Sequence, residues 1–172
     1  MQNLQASLRT RLEGARSIAV LAMGSALKGD DAAGLLAAEH LEKACKPRPG
    51  SPRLTVLVGG TTPENLTGEI KQLQPTHLIV IDAAEMGEKP GHVALIEPAA
   101  LDTGASMSTH RLPLQVLMDY LHRFIACEII VIGIQPGGRE FDARPSGEVE
   151  EGAKLAAEAI AAAVNELRAG DA

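Results

Sequence analysis

The sequence predicts an α/β fold, a three-layer α/β/α sandwich around about five strands, mostly parallel, with one antiparallel strand. Three observations predict it. Short apolar runs rich in β-branched residues alternate with stretches of helical periodicity along the 172 residues. Hydrophobic residues make up 45% of the chain but aromatics only 2%, so the core must be aliphatic. Val, Ile, Leu and Ala fill a parallel sheet flanked by helices without aromatic bulk. Finally, Gly or Pro stands at the ends of most of the apolar runs.

Ser17–Met23, ended by Gly24, reads as a buried strand. Asp30–Ala44 follows as a helix, with acidic residues in its first turn and Leu36, His40 and Leu41 on one face. Leu54–Val58, stopped by Gly59 and Gly60, is a second strand. Thr62 before Pro63 is a capping signal for a helix that ends near Leu73, ahead of Pro75. His77–Ala83 is a β-branched run closed by Asp82. The Pro90-Gly91 turn leads into the strand His92–Glu97, too close to its predecessor for a crossover helix and therefore expected antiparallel to it. Pro113–Phe124 carries Leu114, Leu117, Met118 and Leu121 at helical spacing. Glu128–Ile134 is the last strand, and Ser146 caps an Ala-rich helix that ends near Leu167.

The length suits a single domain over residues 1–172, with residues 1–16 as an N-terminal extension. That extension is polar and mixed in charge, without the apolar centre of a signal peptide, and no apolar run reaches the roughly 18 residues a bilayer requires. The expected location is cytoplasmic, with no membrane partner. A net charge of −6 argues against duplex nucleic acid, and Tyr120, Phe124 and Phe141 are too few for base stacking on single strands. Cys45 and Cys127 lie far apart and form no C-x-x-C pair, so both read as reduced, partly buried thiols.

Ligands of such sheets bind at the carboxyl ends of the strands, where strand order reverses. Asp31 lies in the turn after the first strand, Asp82 closes the third, and His110 stands just before the helix leading to the last strand. Each also has a simpler explanation. Asp30 and Asp31 begin a helix whose orphan N–H groups a carboxylate can cap. Asp82 could be satisfied by nearby backbone, and His110 could be a cap or a surface residue. Their convergence from three distant stretches is what favours a site. The glycine-rich turn Gly24–Asp31 has neither a G-K-[ST] ending nor G-x-G-x-x-G spacing, and two carboxylates at a helix start repel phosphate. The same placement attracts a cation. Two carboxylates and an imidazole suit a borderline divalent metal and leave coordination positions open. His40, His77, His92 and His122 are expected to be bystanders on helices or at strand starts.

Met23–Gly34 resembles the pattern G-N-x-x-x-G-D-D-G-x-G, and Gly59–Asn65 resembles D-G-G-x-x-P-E-N. Pro75–Gly87 continuing through Pro90-Gly91, then Ser108–Leu114, then Gly133–Pro136 complete the series. Read in order, these five segments resemble the hydrogenase maturation protease family, most of all the type that processes the hydrogenase of formate hydrogenlyase (hydrogenase 3). The similarity runs from about Ile18 to Val164, nearly the whole chain.

The resemblance implies a phosphorylase/hydrolase-like sandwich and a metal-binding trio of Asp31, Asp82 and His110. It also implies a nickel-dependent, aspartic-type endopeptidase, with Asp31 and Asp82 as catalytic candidates. Its partner would be the large-subunit precursor of a NiFe hydrogenase, whose C-terminal extension is removed after nickel insertion. The Ni2+ would be carried by the substrate's cysteines, with surrogate divalent ions possible in isolation. The alternative is a nickel-binding assembly factor or metallochaperone that does not cleave; a flavodoxin-like nucleotide or flavin module is disfavoured by the acidic turn. Three positions depart from the pattern: Ser25 replaces the Asn, Ala32 the first Gly after the acidic pair, and Val58 the acid before Gly-Gly.

Overall fold

A computed structural model describes residues 2–46, 48–97 and 114–167. Five strands form one sheet: β1 (Ser17–Met23), β2 (Arg53–Gly60), β3 (His77–Ala83), β4 (Val93–Ile96) and β5 (Glu128–Ile134). Their order is β2-β1-β3-β5-β4, parallel except for β4, which runs antiparallel to β5. The expected three-layer sandwich is what forms. The antiparallel strand is also present, but its neighbour differs from the expected one. β5 slots between β3 and β4, because the chain returns from β4 through a helix and places its last strand against β3.

Alternation along the central strands sorts the layers. Ile18 and Val20 of β1, Ile79 and Ile81 of β3, and Ile130, Ile132 and Ile134 of β5 share one core with helices α1 (Gln2–Arg11), α2 (Ala33–Ala44) and α5 (Gly147–Glu166). Ala19, Leu21, Leu78, Val80, Ile129 and Val131 face the other way, against α3 (Thr67–Leu73) and α4 (Leu114–Phe124). A strand buried on both faces reads as a continuous apolar run, and every residue of β3 is buried. The bounds read from sequence for β1, β3 and β5 match the structure. For β2 the strand runs on through Gly59 and Gly60, with a register irregularity between Ala22 and Met23 of its neighbour.

Helix starts differ more. The segment expected as one helix from Asp30 opens with a 3-10 turn, Gly29–Ala32, before α2 proper. Pro63–Leu66 is likewise a 3-10 turn ahead of α3, and Thr62 precedes it without making a side-chain cap bond. Ser146 does cap α5, its hydroxyl oxygen accepting from the Val149 amide at 3.4 Å. Residues 1–16, read as an extension, contain α1. Leu8 and Leu12 are fully buried there, one turn apart, in the core that α1 shares with α2 and α5.

The buried face of α2 consists of Ala33, Gly34, Ala37, Ala38 and Leu41, with Leu36 and His40 only half-buried. Small residues let α2 lie close to the sheet and to the alanines of α5. At Gly34 the approach is closest: a Cβ there would stand 2.3 Å from the Met23 carbonyl oxygen and 2.4 Å from that of Ile81. This contact presses the first turn of α2 onto the carboxyl ends of β1 and β3. Helix propensity alone favours Gly34→Ala by about 1 kcal/mol, but the overlap with two backbone carbonyls reverses the sign. Urea unfolding should show Gly34→Ala destabilised by about 1–3 kcal/mol.

Candidate active site at the β1/β3 crevice

From β1 the chain passes to β2 on one side, and from β2 it crosses to β3 on the other. The carboxyl ends of β1 and β3 therefore bound a topological switch point, the place where open α/β sheets hold ligands. Both sequence-predicted carboxylates lie there, and both are fully buried.

Asp31 arrives through a folded-back loop. Gly24 leaves β1 at φ 131, and a Cβ on it would meet the Asp31 carbonyl oxygen at 2.0 Å. Only glycine accommodates that reversal. The Gly24 amide donates to Gly60 at 3.0 Å, and the Ser25 amide to the Asp31 carbonyl at 3.1 Å. Ser25, standing where the resembled motif has Asn, accepts from the Leu27 amide through its hydroxyl at 3.3 Å. Its departure from the pattern leaves the turn supported. Val58, by contrast, is 61% exposed and offers the rim no polar group.

Asp82 is next to last in β3, in register with Gly133 of β5. It shares its face with Leu78 and Val80, on the α3/α4 side, where its Oδ1 accepts from the Ala83 amide at 2.8 Å. Backbone thus satisfies part of the carboxylate, as the simpler reading of this residue required. His110 lies outside the described residues. Among the described residues no cluster of three His, Cys, Asp or Glu side chains could hold a metal ion. The structure therefore brings Asp31 and Asp82 to one rim and describes two members of the predicted trio.

The neighbouring acid has a different task. Asp30 does not cap its own helix; its Oδ2 accepts from the amides of Gly137 at 2.7 Å and Gly138 at 3.0 Å, and its Oδ1 from the Ser146 amide at 2.6 Å. The Asp30 amide in turn donates to the Gly138 carbonyl at 2.9 Å. Burial alone would raise this carboxyl's pKa, but the three backbone donors outweigh it and hold the group below its ordinary value.

Two further residues at the rim were not foreseen. Gln135, buried at the end of β5, accepts through Oε1 from the Met86 amide at 2.7 Å and the Glu88 amide at 3.2 Å, and donates to Glu85 at 2.6 Å. It fastens the β3–β4 loop to β5. Gln135 belongs to the Gly133–Pro136 segment, so the signal was present, though without a role attached. Arg139 places Nε 3.6 Å from the Asp31 carboxylate and donates through Nη2 to the Ala83 carbonyl at 3.4 Å. Its guanidinium spans the crevice from the β1 loop to the end of β3. No local pattern marked it.

The thiols stand at the other end of the sheet, Cys45 closing α2 and Cys127 just ahead of β5, and burial pushes both upward in pKa. His77 begins β3 at that same end. Burial pushes its imidazole down although Glu128, 3.8 Å away, pulls upward. His122 is exposed on α4. His92 is exposed just before the edge strand β4, two strands from β3.

A sequence model described as hydrogenase maturation protease (HycI) matches residues 35–163 of this chain. Asp82 and His110 fall inside that span, and Asp31 precedes it. The chain is 39% identical over 117 residues to the hydrogenase 3 maturation protease of Escherichia coli K12, covering 68% of this chain and 71% of that protein. The crystal structure of the NiFe hydrogenase maturation protease HycI from Thermococcus kodakarensis superposes with a TM-score of 0.82 at 32% identity, covering 93% of this chain and 99% of that one. The hydrogenase maturating endopeptidase HybD of E. coli superposes at 0.72 with 25% identity, covering 87% and 93%.

Asp30→Asn removes the charge that three backbone donors address and should destabilise the fold by about 1–3 kcal/mol in urea unfolding. The wild-type contribution is fully present above the ordinary carboxylate range. It is lost as pH falls through the lowered folded value of Asp30. Acid unfolding of the variant should therefore show a shallower loss of stability across that interval.

Proposed function

Because this chain belongs to the hydrogenase maturation protease family and is a hydrogenase maturation endopeptidase, we propose that it removes the C-terminal extension of a NiFe-hydrogenase large-subunit precursor once nickel is in place. The observation that carries the nickel-gated reading is the pair of fully buried carboxylates, Asp31 and Asp82, at the switch point between β1 and β3. Carboxylate oxygens gathered at a ligand-binding rim draw positive groups, as the Arg139 guanidinium 3.6 Å from Asp31 illustrates, and are hard donors for a divalent ion.

The ion belongs to the substrate in this reading. Carboxylate oxygens, joined by the imidazole of His110, are donors suited to a borderline divalent metal. With Cys45 and Cys127 at the opposite end of the sheet, thiolate ligation is left to the precursor. Contact between the precursor's Ni2+ and Asp31, Asp82 and His110 positions the scissile peptide beside the rim. Positioning of this kind is worth several kcal/mol of barrier, on the order of 7 or more in well-oriented cases.

Attack by water then requires a base. Asp31 and Asp82 are the candidates, which is the aspartic-type reading. Asp30 is excluded because three backbone donors already occupy its carboxylate.

Purified precursor, loaded with nickel or left empty, tests the proposal in a gel-shift assay. Shortening of the loaded form alone is expected, and equal cleavage of both forms defeats metal gating. A protein that takes up nickel and never shortens the large subunit is an assembly factor instead. Asp82→Asn and His110→Ala should each lower the processing rate by about 100-fold or more while the far-UV circular dichroism stays that of the parent. A variant that processes at the normal rate removes its residue from the site.

A further inference from the structure

Arg139 acquires a specific role once Asp31 is a ligand for the precursor's cation, and that role rests on this reading of the site. The guanidinium stands against the Asp31 carboxylate at 3.6 Å and reaches the Ala83 carbonyl at 3.4 Å. Both contacts lie at or beyond the outer limit of a hydrogen bond. Nε is buried and makes no hydrogen bond among the described residues. The side chain as a whole is 21% exposed, so one side of it opens to solvent. Its backbone is held differently: Asp30 grips the amides of Gly137 and Gly138, immediately before Arg139 in the chain.

We propose that Arg139 is a positioning residue that holds the cation's place beside Asp31 and must swing aside when the precursor's divalent ion docks. A divalent ion bound to Asp31 and a guanidinium touching the same carboxylate repel each other strongly at this range. The clamped backbone and loosely bonded head group allow the exchange by side-chain rotation alone. The loop need not move.

Arg139 thereby acts as a filter. A free aqueous ion must displace it with coordination energy alone and binds weakly. An ion delivered within the precursor displaces it with the docking energy of the whole protein surface behind it. Selection of a loaded precursor over stray metal then comes from charge competition at one carboxylate.

Calorimetric titration of the full chain with Ni2+ and with Cd2+ tests this without any cleavage readout. Arg139→Gln should bind either ion on the order of tenfold more tightly than the parent. Arg139→Lys, which keeps the charge, should stay close to the parent, and Asp31→Asn combined with Arg139→Gln should lose the gain. Equal or weaker binding by Arg139→Gln, with Asp31→Asn still weakening the parent, overturns the filter and leaves the ligand reading standing. If the double variant binds as tightly as Arg139→Gln, the ligand reading itself fails. Absence of binding by every variant up to millimolar ion also overturns the filter. Should Arg139→Gln lower the thermal midpoint, Arg139→Met keeps the aliphatic stem and carries the same comparison.

Discussion

The Asp30 carboxylate accepts from Gly137, Gly138 and Ser146, residues 107, 108 and 116 positions further along the chain. Geometry at the rim depends on this clamp. It locks the turn after β1 to the loop after β5 and to the first residue ahead of α5. With that loop fixed, Arg139 is held over Asp31, and Gln135, two residues before Gly137, fastens the β3–β4 loop. Hydrogen bonds to an ionised acceptor are about twice as strong as neutral ones. Adjacent aspartates have thus taken separate duties, Asp30 structural and Asp31 facing the crevice.

A second constraint is proximity. Tyr120, Phe124 and Phe141 are all exposed, so the aliphatic core has little bulk with which to space its layers. α2 meets α5 through alanines, and Gly34 brings the helix start into contact with the carbonyls of Met23 and Ile81. Close packing of this kind transmits any added volume directly to the backbone. The strand ends carrying the candidate site are consequently positioned by the smallest side chains in the protein. Precision at the rim and poverty in aromatics are two results of one packing solution.

Charge completes the arrangement. Two fully buried carboxylates stand at the switch point, and the Arg139 guanidinium lies between the strand ends, against Asp31 and the Ala83 carbonyl. The thiols stay at the opposite end of the sheet, raised in pKa by burial.

Much of this was legible in the residues. Strands β1, β3 and β5 are buried runs bounded by breakers, and their limits need no tertiary knowledge. The capping hydroxyl of Ser146 and the placement of Asp31 and Asp82 at strand ends are similarly local. Leu4, Leu8 and Leu12 recur at helical spacing and could have revealed α1, but the surrounding residues are polar enough to hide it. Strand order was not legible: β4 pairs with β5 rather than with its predecessor β3, because the edge it joins is created by a later segment. Nor was the role of Asp30, the reach of Gln135, or the presence of Arg139 beside Asp31. Periodicity and capping act over a few residues, so sequence by itself determined the elements and their chemistry. Hydrogen bonds and charge contacts between segments more than 50 residues apart are set by packing, as the 56 from Arg139 to Ala83 and 107 from Asp30 to Gly137 illustrate, so only the tertiary structure decided which of those polar groups meet.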